Sequence, residues 1–173
     1  MISMDFITLA NSRFSVRSFS DRKVEQEKID SILRAGQVAP TACNRQPQKI
    51  YVLQSEEALK TLQKCKYSHF GETLAFLVCY DSSLCWTREF DGKPSGDIDA
   101  SIVATHMMLE AWELGIGSTW IMHFIPEAVI EEFDLPDNVI PVCILVMGYP
   151  AQDAVPSAQH GMKKSLEDMV TVL

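Results

Sequence analysis

The stretch Asp97–Leu114 limits what this chain can fold into more than any other part of it. It is the longest helix the pattern supports. Ile98, Ile102, Val103, Met107, Met108, Leu109, Ala111 and Trp112 spread apolar side chains over most of its circumference. A helix apolar nearly all round has to be enclosed by protein. In a chain of 173 residues the enclosure is either the centre of the core or a contact with a second copy. No apolar run reaches the ~20 residues that cross a bilayer.

The remaining elements mix without regular alternation. Asp5–Ala10 reads as a short helix ending near Asn11. Glu25–Val38 places Ile29, Ile32, Leu33 and Gly36 in an amphipathic stripe, and Pro40 stops that helix. Lys49–Gln54 and Leu74–Tyr80 read as strands around a helix at Glu56–Lys64, the second strand apolar throughout and therefore buried. Gly115 ends the long helix. Ser118–His123 follows as a short strand, Pro126–Phe133 as a short helix and Ile140–Met147 as a central strand. Leu84–Gly96 lacks a period and reads as an irregular loop or lid. The tail after Gly148-Tyr149-Pro150 is polar until Leu166–Leu173, which could pair on another surface. The pattern predicts one domain over 1–173, an α+β fold with a mixed or antiparallel central sheet flanked by helices.

Composition narrows the partners. A net charge of −8 offers no basic stripe for nucleic acid, though it permits a local pocket for one anion. Met1-Ile2-Ser3-Met4-Asp5 carries no secretory pattern. Cys43, Cys65, Cys79, Cys85 and Cys143 are odd in number and include no Cys-x-x-Cys, which argues for a reducing cytoplasm. His69, His106 and His160 show no metal-ligand spacing, so no metal is expected, and His106 on the apolar helix reads as structural. Gly115-Ile116-Gly117 follows a helix rather than a strand and lacks a third glycine, so it is not a dinucleotide fingerprint.

Two segments carry the chemistry. Arg13-Phe14-Ser15-Val16-Arg17 gathers two guanidiniums and a hydroxyl at a helix or tight turn, which suits a phosphate. Alternatively it is a solvated basic turn. Ala39-Pro40-Thr41-Ala42-Cys43-Asn44-Arg45-Gln46-Pro47 is a turn-forming stretch whose amides offer donors and acceptors to a planar heterocycle. Its alternative is a plain helix-to-strand connection.

Together these segments resemble the nitroreductase family, whose Arg-x-Ser-x-Arg opening is matched by Arg13, Ser15 and Arg17. The family's proline-led stretch ending Asn-x-Gln-Pro is matched by Pro40, Asn44, Gln46 and Pro47. Leu114-Gly115-Ile116-Gly117-Ser118-Thr119-Trp120-Ile121 is similar to its Leu-Gly-x-Gly-Ser-x-Trp-Ile segment. Gly148-Tyr149-Pro150 and Lys163-Lys164 resemble its later landmarks. The resemblance implies a flavin mononucleotide (FMN) enzyme that oxidises NAD(P)H and reduces a small acceptor such as a nitroaromatic or quinone by ping-pong turnover. It also implies an intertwined homodimer with FMN at the subunit interface.

By the same resemblance Arg13 and Ser15 hold the FMN phosphate with help from Lys163 or Lys164, Phe14 belongs to the cofactor-binding set beside them, and Arg17 sits nearer the pyrimidine edge. Asn44 and Gln46 contact the ring or ribityl chain. Pro40, Thr41 and Ala42 approach from the partner subunit, and the backbone of Trp120, Ile121, Met122 and His123 runs along the ring. No side-chain acid or base is strictly required, because the flavin carries the hard chemistry. Departures are Gln48, where the family has a bulky residue, and His123, where others tend to be small. His123 could gate access or titrate, against a reading as a buried, satisfied histidine. Tyr67, Phe70, Trp86 and Phe90 could line a substrate mouth or simply pack. Two other functions stay open: an FMN-binding sensor or storage protein without turnover, and a redox enzyme using Cys43.

Overall fold

The computed structural model describes residues 5–173. Four strands, β1 (Gln48–Leu53), β2 (Leu74–Asp81), β3 (Gly117–Ile121) and β4 (Val139–Gly148), form one sheet in the order β1-β2-β4-β3. Every pair is antiparallel. The helices are α1 (Phe6–Ser12), α2 (Gln26–Gln37), α3 (Glu56–Cys65), α4 (Gly96–Glu113) and α5 (Pro126–Glu132).

The continuous apolar run of β2 follows from its central place. Side chains alternate across a strand. Leu74, Phe76, Val78 and Tyr80 pack with Ile29 and Ile32 of α2 and with Val103 and Met107 of α4. Ala75, Leu77 and Cys79 pack on the opposite face with Leu62 of α3 and Val129 of α5. Helices therefore cover both faces. Pro141 is accommodated where the register of β4 slips, Val78 pairing with Cys143 and Cys79 with Pro141. A bulge suits a residue with no N–H to offer.

Helix α4 is the spine of one layer. Gly36 lets α2 approach it closely, since a Cβ there would lie 2.9 Å from Met107 Cγ. Only one face of α4 is buried in the chain. Ile98 is 53% exposed and shares with Ser101, Ile102, Thr105 and His106 an open groove of about 430 Å³. The enclosure expected from its composition is thus half supplied by its own chain. His106 Nδ1 lies 2.9 Å from Ile102 O.

Two polar clusters pin loops to this frame. Lys66 Nζ lies 2.7 Å from Glu72 Oε1, with the side chains 0% and 3% exposed. The same ammonium donates to Ser68 O, and Glu72 Oε2 accepts from Phe70 N at 3.1 Å. The loop so closed receives the N–H of Phe19 at Phe70 O, 3.1 Å. In the second cluster Tyr149 OH donates to Glu25 Oε2 at 2.6 Å and accepts from Lys28 Nζ at 2.9 Å, and Arg22 holds Glu25 Oε1 at 2.6 Å. Hydrogen bonds from Tyr149 and Arg22 lower the Glu25 pKa from the usual 4.5 to about 2.

The segment between β2 and α4 is more ordered than its composition suggests. Ser95 N bonds to Trp86 O at 2.8 Å and Arg88 N to Lys93 O at 2.9 Å, with Thr87 bridged to Pro94. It is a small hairpin, turned at Gly92 with φ of 71°. Leu166 to Leu173 are exposed, and a turn in which Met169 N and Val170 N reach Leu166 O is their main-chain bonding.

Lys66→Met, which strands a buried carboxylate, is expected to cost on the order of 3 kcal/mol in equilibrium urea unfolding. The double replacement Lys66→Met/Glu72→Met is expected to recover most of that. A double variant as unstable as the single would show that Glu72 gains nothing from Lys66. Because the folded pKa of Glu25 is depressed, its contribution is complete above about 4.5 and is lost as pH falls toward about 2. Glu25→Gln is expected to flatten the stability-versus-pH curve in that window, read by thermal melts.

Candidate functional site

The arginine segment is extended, in place of the helix or tight turn that its spacing suggested. Arg13 has φ −64° and ψ 132°, and Ser15 pairs in a parallel bridge with Ser118 at the outer edge of β3. Val16 N donates to Ser118 O at 3.0 Å, and Thr119 Oγ1 donates to Val16 O. Alternation then sorts the side chains. Val16 is fully buried and Phe14 packs edge-on against Trp112, ring centroids 5.2 Å apart. Arg13, Ser15 and Arg17 fall on the other side of the segment. The side chain of Phe14 thus serves the core. Gly117 is obligatory here, since a Cβ would lie 2.6 Å from Val16 Cγ2.

Charge at this edge is uncompensated. Arg13 is half-buried, burial lowers the pKa of its guanidinium, and no carboxylate among the described residues pairs with it. Arg17 is exposed and reaches only Ser15 O, at 3.5 Å. Ser118 is 1% exposed, yet its Oγ has no partner. A half-buried cation beside an orphaned hydroxyl fits an anion with hydroxyl-rich neighbours. Lys163 Nζ donates to Asn11 Oδ1 and His160 Nε2 lies 3.2 Å from Asn11 O, so the tail delivers Lys163 beside the arginine segment. Lys164 is exposed.

Beyond Ser118 the edge of β3 is open. Since Ser118 O turns outward to Val16, alternation turns the N–H and C=O of Trp120 to the same side. The Ile121 side chain is buried, and the same alternation turns its N–H and C=O inward to β4, so that residue does not face the open edge. Strand β3 stops at Ile121, and Met122 O accepts from Phe124 N at 3.0 Å as the chain peels away. Met122 and His123 are exposed. His123 is therefore not the buried, satisfied histidine of one expectation. It stacks on Tyr67 with centroids 4.8 Å apart and planes at 25°.

The second segment is strained and firmly held. Cys43, Asn44 and Gln46 have φ of 50°, 52° and 49°, a left-handed region that non-glycine residues enter rarely and that tends to mark functional sites. Gln46 N donates to Thr41 Oγ1 at 3.0 Å. Gln46 Nε2 donates to Asn44 Oδ1 at 3.0 Å. This pairing leaves Asn44 Nδ2 as a donor and Gln46 Oε1 as an acceptor. Asp99, 1% exposed, anchors the loop: Oδ1 accepts from Ala42 N at 2.8 Å and Oδ2 from Ser95 Oγ at 2.7 Å. Pro40 and Cys43 are exposed. Gln48 carries a buried Oε1 without a partner.

One chain does not bring the two segments together. The arginine segment leans on Trp112 near the end of α4, whereas loop 40–47 hangs from Asp99 in its first turns. Thirteen residues of helix separate these points by about 20 Å. Trp86 lies with Ala42 at the Asp99 end, while Tyr67 sits with His123 beyond β3. The aromatics expected to form one mouth are thus divided within the chain.

The chain matches the family model described as Nitroreductase family over residues 10–77 and 76–149. It belongs to the nitroreductase family. It is similar to a nitroreductase family protein from Clostridium difficile 630, at 44% identity and TM-score 0.91, covering 97% of this chain and 98% of that one. An FMN-dependent nitroreductase from Clostridium difficile R20291 shares 26% identity with TM-score 0.71, over 92% of this chain and 98% of that one. In sequence it is 28% identical over 155 residues to the FMN reductase (NAD(P)H) of Bacillus subtilis strain 168, covering 79% of this chain and 62% of that protein.

Asp99 is the anchor of the candidate site that the sequence hid. An acidic residue in a helix's first turn ordinarily serves the helix dipole, and only its place on the buried face of α4 marks it as an anchor. Asp99→Ala is expected to free Ala42 N–H and cost on the order of 2 kcal/mol. Amide exchange should speed up across 41–46, and Asp99→Asn should restore part of the protection. Unchanged exchange in Asp99→Ala would contradict the anchoring role.

Proposed function

We propose that this nitroreductase is an FMN-dependent NAD(P)H oxidoreductase, one folded unit that works as a homodimer with a cofactor site at each end of the interface. The observation that carries the proposal is the half-buried, unpaired Arg13 at the start of an open strand edge. The names of its relatives support both the cofactor and the hydride donor.

The residues divide the labour along β3. Arg13 and Ser15, with Lys163, are suited to the phosphate. Arg17 lies two residues further along the same face, where a fixed cation stabilises negative charge developing on the pyrimidine edge. The outward N–H of Trp120 orients the ring without titrating. FMN, when bound, supplies hydride acceptance from NAD(P)H and electron delivery to the acceptor.

Asn44 and Gln46 would come from the second copy. A two-fold axis across α4 superposes the Trp112 end of one helix on the Asp99 end of its mate. The open face of Ile98 and Ile102 provides an apolar contact for that pairing. The freed donor of Asn44 and acceptor of Gln46 then meet an amide-like ring edge. The sheet is antiparallel throughout and offers no βαβ unit for a separate dinucleotide. Donor and acceptor accordingly take turns in one cleft, and the acceptor is a small molecule such as a nitroaromatic or quinone.

All five cysteines are free thiols, which suits a reducing compartment such as the cytoplasm. Among the described residues no helix is long and apolar enough to cross a membrane.

Arg13→Ala is expected to weaken FMN binding about 30-fold, the equivalent of roughly 2 kcal/mol for a charge-assisted contact, read by fluorescence titration. Arg17→Ala is expected to slow anaerobic bleaching by NADH or NADPH more than it lowers occupancy. Wild-type affinity in both variants would remove the assignment of this segment. A bound flavin that neither nucleotide bleaches would indicate binding without turnover.

A further inference from the structure

The tail leaves the body at Ala154, which still packs with the layer of Val16 and Phe19. From Val155 to Leu173 every residue is exposed except His160. That half-buried imidazole is where the tail touches down. Its ring meets Phe14 edge-on, centroids 6.2 Å apart with planes at 67°. Its Nε2 faces a carbonyl and is therefore the donor, to Asn11 O at 3.2 Å. Three residues on, Lys163 Nζ donates to the side-chain oxygen of the same Asn11. Two successive turns set that spacing: His160 N bonds to Ser157 O at 2.9 Å and Met162 N to Gln159 O at 3.0 Å. Asn11 lies in the last turn of α1, whose carbonyls lack helical partners, so the clasp also caps a helix end. Capping alone does not call for an ammonium on a neutral amide. Lys163 forms no close ion pair among the described residues, and Arg13, two residues after Asn11, forms none either. Two cations gathered in this way repel until an anion joins them.

We propose that residues 157–163 form a strap across the cofactor's phosphate, and that His160 is the positioning residue that pins it and sets Lys163 over the anion. The proposal rests on the reading that Arg13 and Ser15 hold the phosphate of FMN. For an ammonium, a phosphate is a stronger acceptor than the neutral amide oxygen of Asn11. The flexible stem of Lys163 lets it turn from one to the other while His160 keeps the strap in place. The flavin ring, further along β3 in that reading, gains nothing from the strap. Retention of the phosphorylated flavin therefore depends on His160, and retention of the unphosphorylated one does not.

The test measures release of FMN, and of riboflavin, which lacks the phosphate, from the full-length protein by stopped-flow fluorescence. His160→Phe keeps a ring against Phe14 but loses the donor. It is expected to release FMN about tenfold faster than the wild type, the scale of one charge-assisted contact. His160→Gln, which keeps a donor, should regain part of the difference, and riboflavin should leave all three proteins at one rate. Because His160 acts through Lys163, the double variant His160→Phe/Lys163→Met should release FMN no faster than Lys163→Met alone. At equal saturation of the wild type, FMN should slow tryptic cleavage after Lys163 and Lys164 more than riboflavin does. Unchanged FMN release in His160→Phe overturns the proposal, as does equal tryptic protection by the two flavins. Equal acceleration of both flavins, or additive effects of the two substitutions, is what a mere cap on α1 gives and overturns it too. Failure of the underlying reading looks different: FMN binds no more tightly than riboflavin, Arg13→Ala changes neither, and the strap falls with it.

Discussion

A single main-chain contact organises the arginine end of this molecule: the N–H of Val16 on the carbonyl of Ser118, 3.0 Å apart. It anneals an extended segment to the outer edge of β3 and fixes its register. With the register set, Phe14 and Val16 are committed to the core, and two guanidiniums and a hydroxyl are left together on the opposite side. The contact also decides which peptide groups of β3 stay free, because carbonyls and amides alternate along a strand. Gly117 is what permits the approach, since any side chain there would collide with Val16. A slip of one residue would send Arg13 and Arg17 into the apolar layer beside Leu77 and Ile144.

Helix α4 sets the second constraint. It is long enough to keep the arginine segment and loop 40–47 about 20 Å apart, and it leaves one face of Ile98 and Ile102 unpacked. The strain of three left-handed residues in the loop is sustained by Thr41 and Asp99, so the loop keeps its shape without help from the arginine end. In the dimer proposed above, the two segments are the two halves of a site, and pairing two copies across α4 would bury the apolar face and complete two sites in one event.

Much of the fold was legible in the sequence because burial writes itself into periodicity. The Ile29, Ile32, Gly36 stripe faces α4, and the unbroken apolar run of β2 reflects packing on both faces. The helix and strand limits fell within a residue or two. The signals that failed were those with more than one physical reading. The alternation of Phe14 and Val16 between polar neighbours was a strand pattern, but the clustered charges drew attention to a turn. Ser-Leu-Cys-Trp beside Gly-Lys-Pro-Ser-Gly has no period, yet cross-strand bonds from Trp86 and Arg88 make it a hairpin. Lys66 and Glu72 form their pair across a loop, and nothing local in sequence says that both would be buried. His123 stood between a gating or titrating role and a buried, satisfied one, and the turn at Met122 lifts it out onto Tyr67.

The central claim is that each site joins the arginines of one chain to the amide loop of another. Two differently tagged chains, one carrying Arg13→Ala/Arg17→Ala and the other Asn44→Ala/Gln46→Ala, are co-expressed, and the mixed dimer is isolated by its two tags. FMN content is then measured by absorbance. The account predicts about one FMN per mixed dimer and little in either parent, since one of the two mixed sites is intact on both sides. A mixed dimer as empty as its parents would contradict it and return both segments to a single chain.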